Sequence, residues 1–553
     1  MTRFDTQEVV TSLERAWGGL LSDAARWIRT LAASDTVVWC VVAGGVLLRV
    51  ARYLDNRSLW LDESFLALNI LEKSTTGLFG RLDYLQAAPP GFLVLEKLTV
   101  ELVGDSEQAL RLLPLIAGIV SLFLFRAVAR RFLSAGFLLL AMILFAVNEP
   151  LIYYSSEVKP YSSDVLVALT LLLLACRVME REHPVRDYAV LAAAGVLAVW
   201  LSYPAVLMLA GVFAAMLARA LRRREWREIR LGLVGLGFVW LVSFAVVYIM
   251  TSENTGPIAD AIFGTGETHS GVDRLAIGQN IKDAWGAVVD PGGFERGIHG
   301  LAALLLLFGV SALARHRHEL DHLALLTLPL IAAFGAGVLD RYPLGGRFSL
   351  FLVPLGLILI SRGVQDVAAL SRHPLVLALP IAAFLVVPQT ADAVSSLRDP
   401  PAPEHIRPLL RELVANAESG DVLYVYRNAQ YALRYYSACK DCEAWSGRFP
   451  WPLRTAESSD EPQAALESVP PLVVVQQASD DDQVLDDLDE LEQLPRGKRI
   501  WFLFSHVPSR RGLNEETLYL AYLDKNGRRI DESRTDNAAA LYLYELSRPP
   551  PPS

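Results

Sequence analysis

Charged residues are scarce in this chain. Only 20% of its 553 residues are Asp, Glu, Lys or Arg, and 53% are hydrophobic, whereas soluble domains carry about 25% charged residues. The mean hydropathy is +0.33. This composition excludes a cytosolic enzyme and indicates a protein of the membrane.

Basic stripes of the kind that bind nucleic acid are also missing. The net charge is -9, and residues 395–553 hold 26 acidic and 18 basic side chains, so nearly all of the negative charge lies there. The preceding part of the chain is almost neutral. We therefore expect membrane lipid, and no nucleic acid, among the partners.

Cysteine and histidine are few, with 4 and 9 residues. Cys40 and Cys176 lie in apolar runs, where a thiol behaves as a small hydrophobic group. Cys439 and Cys442 form a lone CKDC motif, which does not support a zinc site. If this part faces an oxidising compartment, a local disulfide is favoured over a redox motif. No cluster of His and Asp is dense enough for a ligand set, and His269 and His299 are isolated. The sequence therefore predicts no metal site and requires no cofactor, although a divalent metal is compatible with it.

Long apolar runs are what the sequence does contain. A stretch of about 18 or more apolar residues can cross a hydrocarbon core about 30 Å thick. No internal repeat is visible, which weakens an inverted-repeat transporter. The segmentation predicts about eleven transmembrane helices, near residues 36–53, 109–128, 133–148, 162–178, 187–202, 204–220, 231–250, 298–314, 320–339, 348–362 and 374–391.

The basic residues predict the orientation. Arginines concentrate in alternate connections between the spans, and the positive-inside rule places those connections in the cytoplasm. Residues 1–35 lack a signal peptide pattern and are amphipathic, so we expect a cytoplasmic segment lying on the membrane surface. With an odd number of spans, residues 399–553 are extracytoplasmic. The expected location is a bacterial-type inner (plasma) membrane.

The predicted organisation is therefore a mostly α, polytopic membrane module over residues 36–391, followed by an extracytoplasmic α/β domain over 399–553. The module has two long outer loops, 53–109 and 251–297. The first loop contains apolar stretches that are too short to span, at 64–71 and 91–102, and these predict helices at the interface. The second loop is either a mobile lid or a solvated linker. The last domain alternates helices, near 404–416, 429–436, 483–494 and 515–523, with strands, near 421–426, 472–475, 499–505 and 540–546.

Two adjacent carboxylates follow the first span, in the motif LWLDES. Asp62 and Glu63 lie beside Trp60 at a water–lipid boundary, where desolvation and a like charge raise carboxylate pKa values. Such a pair suits a general base that takes a proton from a hydroxyl. The alternative is a solvated helix cap, since Asp62 precedes an apolar run.

The next outer turn, YYSSEVKPYSSD, is dense in polar and aromatic residues. Glu157 and Asp164 supply two acids and Lys159 a cation. Beside aromatic hydroxyls such as that of Tyr161, they suit a phosphate and a sugar. An ordinary aromatic belt is the alternative.

Arginines supply the remaining candidates. The turn DRYPLGGR carries Arg341, Tyr342 and Arg347, and arginine suits bidentate phosphate contact. Arg111 opens the second span, where it can reach the outer surface or an anionic headgroup. One site explains all of these clusters, because they lie on the same predicted side at interface depth.

The order of the motifs resembles the GT-C membrane glycosyltransferases, specifically the family 39-like relatives that include protein mannosyltransferases and aminoarabinose transferases. The matching pieces are LWLDES, QAAPPGF, SEQALRLLP, YSSEVKPYSSD and RYPLGGRFSLFLVP, over roughly residues 36–391. The resemblance implies the GT-C fold and an inverting transfer of a sugar from a polyprenyl-phosphate donor to an acceptor hydroxyl, on the outer face of the membrane. The acceptor is a lipid, a glycan or a protein.

The resemblance also implies roles for residues. Asp62 is the base, with Glu63 as its neighbour or substitute, and Glu157 orients the acceptor or a metal. Lys159, Arg341 and Arg347 are expected at the donor phosphate. The aminoarabinose transferases carry a lysine before the double proline, where this chain has Ala88, which argues against the same donor.

Other functions compete with this interpretation. A ligase or polymerase of lipid-linked glycans is the neighbouring enzyme class. A transporter or flippase for a lipid-linked sugar predicts charged residues in the middle of spans, whereas here they cluster at one interface. A receptor-like scaffold that uses the acidic region around 483–494 is the third alternative.

Overall fold

A computed structural model gives the fold. Apart from Thr30 and Gly286, the structure describes residues 34–180, 185–226, 232–263, 298–339, 341–401, 403–418, 420–442, 473–475, 491–492, 494–507, 509–510, 513–535 and 539–547. The predicted surface segment before Ser34, most of the loop at 251–297 and most of the predicted helix at 483–494 lie outside these residues.

The first part of the chain is a bundle of long apolar helices. Their bounds are α1 Asp35–Leu54, α2 Leu61–Glu72, α3 Pro90–Val103, α4 Glu107–Ala129, α5 Ala135–Val147, α6 Glu149–Tyr153, α7 Tyr161–Glu180, α8 Val185–Leu201, α9 Ala205–Arg223, α10 Val234–Phe263, α11 His299–Arg315, α12 Leu320–Val338, α13 Val353–Ala369 and α14 Pro374–Arg398.

All eleven predicted spans coincide with helices, but fewer meet the requirements for crossing a membrane. Among the described residues, 8 helices are long and apolar enough, or up to 9 if α5 and the bent segment after it count as one span. The segments α8 and α11 have 17 residues each. The chain is therefore a multi-pass membrane protein.

Close helix contacts depend on small residues in the bundle. A side chain at Gly309 in α11 would collide with the Leu359 carbonyl of α13, and one at Gly363 would collide with the Leu305 carbonyl. Reciprocal glycines let two helix backbones approach closely, which is how helices gain packing energy in lipid.

The two short helices predicted in the first outer loop are present. With 12 and 14 residues, α2 and α3 are too short to span. Pro90 fits the first turn of α3, where its missing N–H is not needed. Gly104 follows α3 at a φ of +117°, a conformation that favours glycine. Helix α3 packs against α4 and α8 of the bundle.

The last part of the chain forms a mixed sheet, as expected for an α/β region. The elements are α15 Ile406–Asn416, β1 Val422–Val425, α16 Ala429–Ala438, β2 Val473–Val475, β3 Arg499–Ser505, β4 Ser509–Arg510, β5 Leu513–Asn514, α17 Glu515–Asn526, β6 Gly527–Thr535 and β7 Ala539–Leu546. Five of the strands form this sheet in the order β2-β1-β3-β7-β6, with β1 parallel to β2 and β3, and β7 antiparallel to β3 and β6.

Strand β6 was not predicted from the sequence. It reads GRRIDESRT and is largely exposed, because it lies at the edge of the sheet. Charged residues are common on edge strands, where they discourage pairing with another chain. The hydrophobic alternation that reveals a half-buried strand is therefore absent.

The C-terminal region, residues 403–547, shares a hydrophobic core with the first outer loop. Leu66 of α2 and Phe92 of α3 belong to the same buried cluster as Tyr424 and Trp501 of the sheet. The helices of the bundle form a separate core. The loop with α2 and α3 is thus held between the bundle and the C-terminal region.

Cys439 and Cys442 form the predicted local disulfide. The turn that they close lies against the loop between α3 and α4, where the Asp105 carboxylate accepts hydrogen bonds from the backbone N–H groups of Lys440 and Asp441. The disulfide therefore shapes a contact between the C-terminal region and the first outer loop.

Candidate active site

The adjacent acids of the motif LWLDES open helix α2. Trp60 is the N-cap, and Asp62 and Glu63 are the second and third residues of the helix. Successive helical residues point about 100° apart, so the two carboxylates reach different surroundings. Asp62 is half-buried, while Glu63 is fully buried.

Glu63 is held by an arginine of the second predicted span. Its Oε1 accepts a hydrogen bond of 2.9 Å from Arg111 Nε, and its Oε2 accepts one of 2.7 Å from Arg111 Nη2. The backbone N–H of Val158 donates to Oε1 as well. Glu63 therefore ties α2 to α4 and to the turn after α6, and it has no open side for a substrate.

Asp62 connects two cations that are distant in sequence. Lys159 Nζ donates to its Oδ1 at 2.9 Å, and Arg347 Nη2 lies 2.9 Å from its Oδ2. The second contact is an ion pair without hydrogen-bond alignment, since Oδ2 has no hydrogen-bond partner among the described residues. One acid and two cations from three separate segments thus meet at one point.

The prediction that the adjacent acids raise each other's pKa is wrong. Burial favours the neutral form of Asp62, but Lys159 and Arg347 outweigh burial and lower its pKa. Burial of Glu63 is likewise outweighed by Arg111 and Arg57, which lower its pKa. Each acid has its own cations, and both are ionised at neutral pH.

Glu157 has the raised pKa instead. Burial and, second, the charge of Glu63 raise it to about 7, against an opposing effect of Arg57. Glu157 is fully buried, and neither of its carboxylate oxygens has a hydrogen-bond partner among the described residues. A buried acid in this state is suited to accept a hydrogen bond from a bound molecule.

Arg57 lies between these acids. Its Nη2 is 3.9 Å from Glu63 Oε2 and 3.9 Å from Glu157 Oε2. Its Nη1 donates to Ser156 Oγ at 3.1 Å, and the guanidinium stacks 4.5 Å from the centre of the Tyr153 ring. Sequence reasoning missed Arg57, because an arginine just after a span looks like an ordinary interfacial cation.

Lys159 is more constrained than the sequence suggested. It is buried, and besides Asp62 it donates to Gln86 Oε1 at 2.8 Å. Gln86 opens the QAAPPGF motif and is a second residue that sequence reasoning missed. Sequence reasoning selected charged residues as candidates, and Gln86, three residues before Pro89, is uncharged.

Arg347 is surrounded by aromatic rings. Its guanidinium carbon lies 5.6 Å from the ring centres of Trp60 and Tyr161 and 5.4 Å from that of Phe348. Aromatic faces stabilise a guanidinium without using its N–H donors. Arg347 therefore keeps donors for an anion, and the ring of Tyr161 lies beside it.

The structure gives three predicted substrate contacts other surroundings than Asp62, Lys159 and Arg347 have. Arg341 is exposed and, among the residues that the structure describes, its guanidinium makes no ion pair with the acids of the site. Tyr342 donates its hydroxyl to the Phe348 carbonyl and so braces the turn that carries Arg347. Arg111, expected to reach the surface or a headgroup, is buried and also donates to the carbonyls of Arg57 and Ser58. Its role is to hold Glu63 in place.

A metal held by three protein ligands does not fit the described residues. No three His, Cys, Asp or Glu side chains converge in that part of the chain. The charged neighbours of the acids are lysine and arginine, which repel a cation. No step below is therefore assigned to a metal.

Comparisons with known proteins bear on this geometry. Residues 87–249 match the family model of dolichyl-phosphate-mannose-protein mannosyltransferases. That segment includes Glu157, Lys159 and Tyr161. No curated protein matches the chain by sequence.

Solved structures share the fold over most of the chain. The crystal structure of ArnT from Cupriavidus metallidurans bound to undecaprenyl phosphate has a TM-score of 0.54 at 14% identity, over 92% of this chain and 98% of that one. The chain has the GT-C fold. The apo form of the same ArnT gives a TM-score of 0.49 at 15% identity, over 94% of this chain and 98% of that one.

A third structure is less similar. The archaeal oligosaccharyltransferase AglB from Archaeoglobus fulgidus, in complex with an inhibitory peptide and a dolichol-phosphate, gives a TM-score of 0.44 at 13% identity, over 76% of this chain and 61% of that one. Within this fold, the candidate site lies where α2, the turn after α6 and the turn before α13 meet.

Proposed function

We propose that this protein is a membrane glycosyltransferase that moves a sugar from a polyprenyl-phosphate donor to an acceptor hydroxyl, with inversion at the anomeric carbon. The observation that carries the proposal is the position of Asp62 between Lys159 and Arg347. The acid proposed for the acceptor directly contacts both cations proposed for the phosphate. An acceptor at Asp62 and a donor phosphate at the two cations would therefore lie side by side.

The two cations are assigned to the donor phosphate. Arg347 is held by aromatic rings and Lys159 by Gln86, so both are positioned before a substrate arrives. Charge-assisted hydrogen bonds from such groups stabilise a phosphate as it leaves. The related fold of ArnT holds undecaprenyl phosphate, which supports a donor of this class. The identity of the sugar is not part of the proposal.

Asp62 is assigned as the general base. The acceptor oxygen forms a bond to the anomeric carbon, and its proton passes to a carboxylate oxygen of Asp62. The bond between the anomeric carbon and the phosphate oxygen breaks, and its electron pair stays on polyprenyl phosphate. A single displacement of this kind inverts the anomeric configuration.

The ion pairs of Asp62 imply how the base becomes active. Without donor, Lys159 and Arg347 lower the pKa of Asp62 and make it a weak base. A phosphate that binds both cations shares their charge, so the pKa of Asp62 rises when the donor is present. Proton transfer is thereby coupled to donor binding.

Glu157 is assigned to the acceptor side. Its two oxygens have no hydrogen-bond partner among the described residues, and it lies close to Arg57 and Glu63. A polar group of the acceptor other than the reacting hydroxyl could donate to Glu157, and this contact would orient the reacting hydroxyl toward the anomeric carbon. The acceptor belongs to the lipid, glycan or protein class, and a divalent cation is an optional addition that chelation will test.

The orientation in the membrane is a further part of the proposal. The distribution of arginines supports a cytoplasmic N-terminus and an extracytoplasmic C-terminal region. The disulfide between Cys439 and Cys442 supports an oxidising compartment for that region. The transfer would then take place on the outer face of a bacterial-type inner membrane.

The experiment is a transfer assay with the purified protein and a panel of radiolabelled polyprenyl-phosphate sugars. Wild type is compared with Asp62→Asn, and the released polyprenyl phosphate is measured with and without EDTA. We expect release by wild type only, and with one or a few donors. Equal release by both proteins would remove Asp62 from the role of base. No release with any donor by folded protein would favour a transporter of lipid-linked sugars.

A further inference from the structure

Helix α2, which carries Asp62, does not cap its own first turn. Its N-cap is Trp60, whose side chain makes no capping hydrogen bond. The first N–H groups of a helix need acceptors from elsewhere, because no preceding helical carbonyl reaches them. The acceptor for the N–H of Leu61 comes from the C-terminal region: Glu404 Oε2, at 3.0 Å.

Glu404 is itself fixed by the end of strand β3. Ser505 Oγ donates to Glu404 Oε2 at 3.1 Å, and His506 Nδ1 lies 2.5 Å from Oε1. Glu404 is buried, with 3% of its surface exposed. A carboxylate at a helix N-terminus also interacts favourably with the helix dipole. Glu404 therefore contacts Leu61, the residue just before Asp62, and is held there by Ser505 and His506.

His506 is placed for this contact by an unusual backbone. Its φ is +52°, in the left-handed region that non-glycine residues rarely adopt, and its carbonyl accepts a hydrogen bond of 2.8 Å from Asn428 Nδ2. Strained conformations of this kind persist where the surrounding structure imposes them. The hydrogen bond with Glu404 raises the pKa of His506, with a smaller contribution from Asp62, so the ring lies within electrostatic reach of that acid.

The C-terminal region holds the other end of α2 as well. Arg434 of α16 forms two hydrogen bonds with Glu72, of 2.8 and 2.9 Å. Glu72 is the last residue of the helix, about 16 Å along the axis from Leu61 at 1.5 Å per residue. One contact lies beside Asp62 and the other far from it, although both attach the same helix to the same region.

We infer that Glu404 is a positioning residue of the transfer reaction, supplied by the C-terminal region and acting by fixing the first turn of α2 around Asp62. His506 supports it by holding Glu404. The inference rests on the proposed function of Asp62. It assigns the C-terminal region a part in catalysis beyond stabilising the fold.

The test uses the full-length protein and compares two ends of one helix. Glu404→Ala removes the cap, Glu404→Gln keeps an oxygen that can accept from Leu61, and Arg434→Gln loosens the distant end. We expect Glu404→Ala to lower kcat by about tenfold or more, with the KM for donor changed by less than about threefold, since a small misplacement of a reacting group is costly. Glu404→Gln should restore most of kcat. Arg434→Gln should lower the melting temperature while keeping kcat within about twofold of wild type.

A second measurement does not depend on activity. Hydrogen–deuterium exchange of the peptide around residues 58–66 should be faster in Glu404→Ala than in wild type and unchanged in Arg434→Gln. A normal kcat or an unchanged exchange rate in folded Glu404→Ala would overturn the inference. Wild type and Asp62→Asn could transfer equally while exchange in Glu404→Ala is faster as expected. That result would refute the proposed role of Asp62 as the base but would still show that Glu404 caps helix α2.

Discussion

Glu63 and Arg111 share two parallel hydrogen bonds, of 2.9 and 2.7 Å, at a place where both side chains are at most 1% exposed. The pair joins the first outer loop to α4, whereas the neighbouring acid, Asp62, contacts Lys159 and Arg347. Two adjacent residues thus differ in role, because Glu63 fixes the helix and Asp62 faces the candidate site.

Removing one partner of this pair should destabilise the protein. In Glu63→Gln, Arg111 stays buried without its counter-charge, and the loss of a buried partner costs about 3–5 kcal/mol. We expect a lower melting temperature in detergent and a smaller folded fraction. The activity per folded molecule should fall less than in Asp62→Asn, which should melt close to wild type because Asp62 is partly exposed. A Glu63→Gln protein as stable as wild type would contradict this role.

Donor binding should survive the loss of the base. Asp62→Asn removes the negative charge that Lys159 and Arg347 now share, so both cations become more available to a phosphate. We expect transfer to fall by about 10²-fold or more, while the affinity for polyprenyl phosphate stays equal or increases. Titration of the purified proteins with polyprenyl phosphate measures this. Weaker binding by Asp62→Asn would contradict the assignment of the cations to the donor.

The two arginines of one turn should differ in their effect on the donor. Arg347→Gln removes a cation that contacts Asp62, and the KM for donor should rise by about tenfold, as expected for the loss of a charge-assisted contact. Arg341→Gln is the matched control, because Arg341 is exposed, and its KM should stay within about twofold of wild type. Equal effects of the two substitutions would place the donor phosphate elsewhere.

Stability should depend on pH through Glu157. Its pKa is raised to about 7, above the value of about 4.3 for an unperturbed glutamate. The folded protein therefore binds the proton more strongly than the unfolded chain, and the stabilisation is complete below pH 4 and lost as the pH rises to about 7. The lowered pKa values of Asp62 and Glu63 stabilise the folded protein at higher pH, and this stabilisation is lost as the pH falls. That loss occurs at a lower pH than the change at Glu157.

The measurement is the melting temperature between pH 5 and pH 7.5 for wild type and Glu157→Gln. We expect wild type to lose stability over this range relative to the variant, which has no proton to release. His506, whose pKa is raised, contributes equally to both proteins and cancels in the comparison. Parallel curves for the two proteins would show that Glu157 does not titrate in this window.

The helices and most strands were predictable because their patterns are local. The apolar runs that predict α4, α7 and α13 and the apolar strand β3 each signal their structure within a few residues. Edge strand β6 was not predicted, because its exposed, charged sequence lacks that pattern. The number of segments that cross the membrane was harder to predict, because the bent helices α5 and α6 and the shorter α8 and α11 do not behave as simple spans.

The site was predictable in composition but not in pairing. The sequence pointed to Asp62, Glu157, Lys159, Tyr161 and Arg347, which the structure brings to one end of the bundle. It also pointed to Arg341 and Arg111, which have other surroundings. Residue types indicate what a side chain can do, but only neighbours decide whether its charge is already neutralised by the protein.

The amino-acid sequence by itself determined that this is a multi-pass membrane protein with an α/β C-terminal region, since hydrophobicity and its period are properties of short segments. Only the tertiary structure decided that Glu157, rather than the Asp62–Glu63 pair, has the raised pKa, and that Glu404 caps the helix of Asp62. Burial and charge pairing depend on residues up to several hundred positions apart in the sequence. A local sequence pattern does not predict which of these residues contact each other.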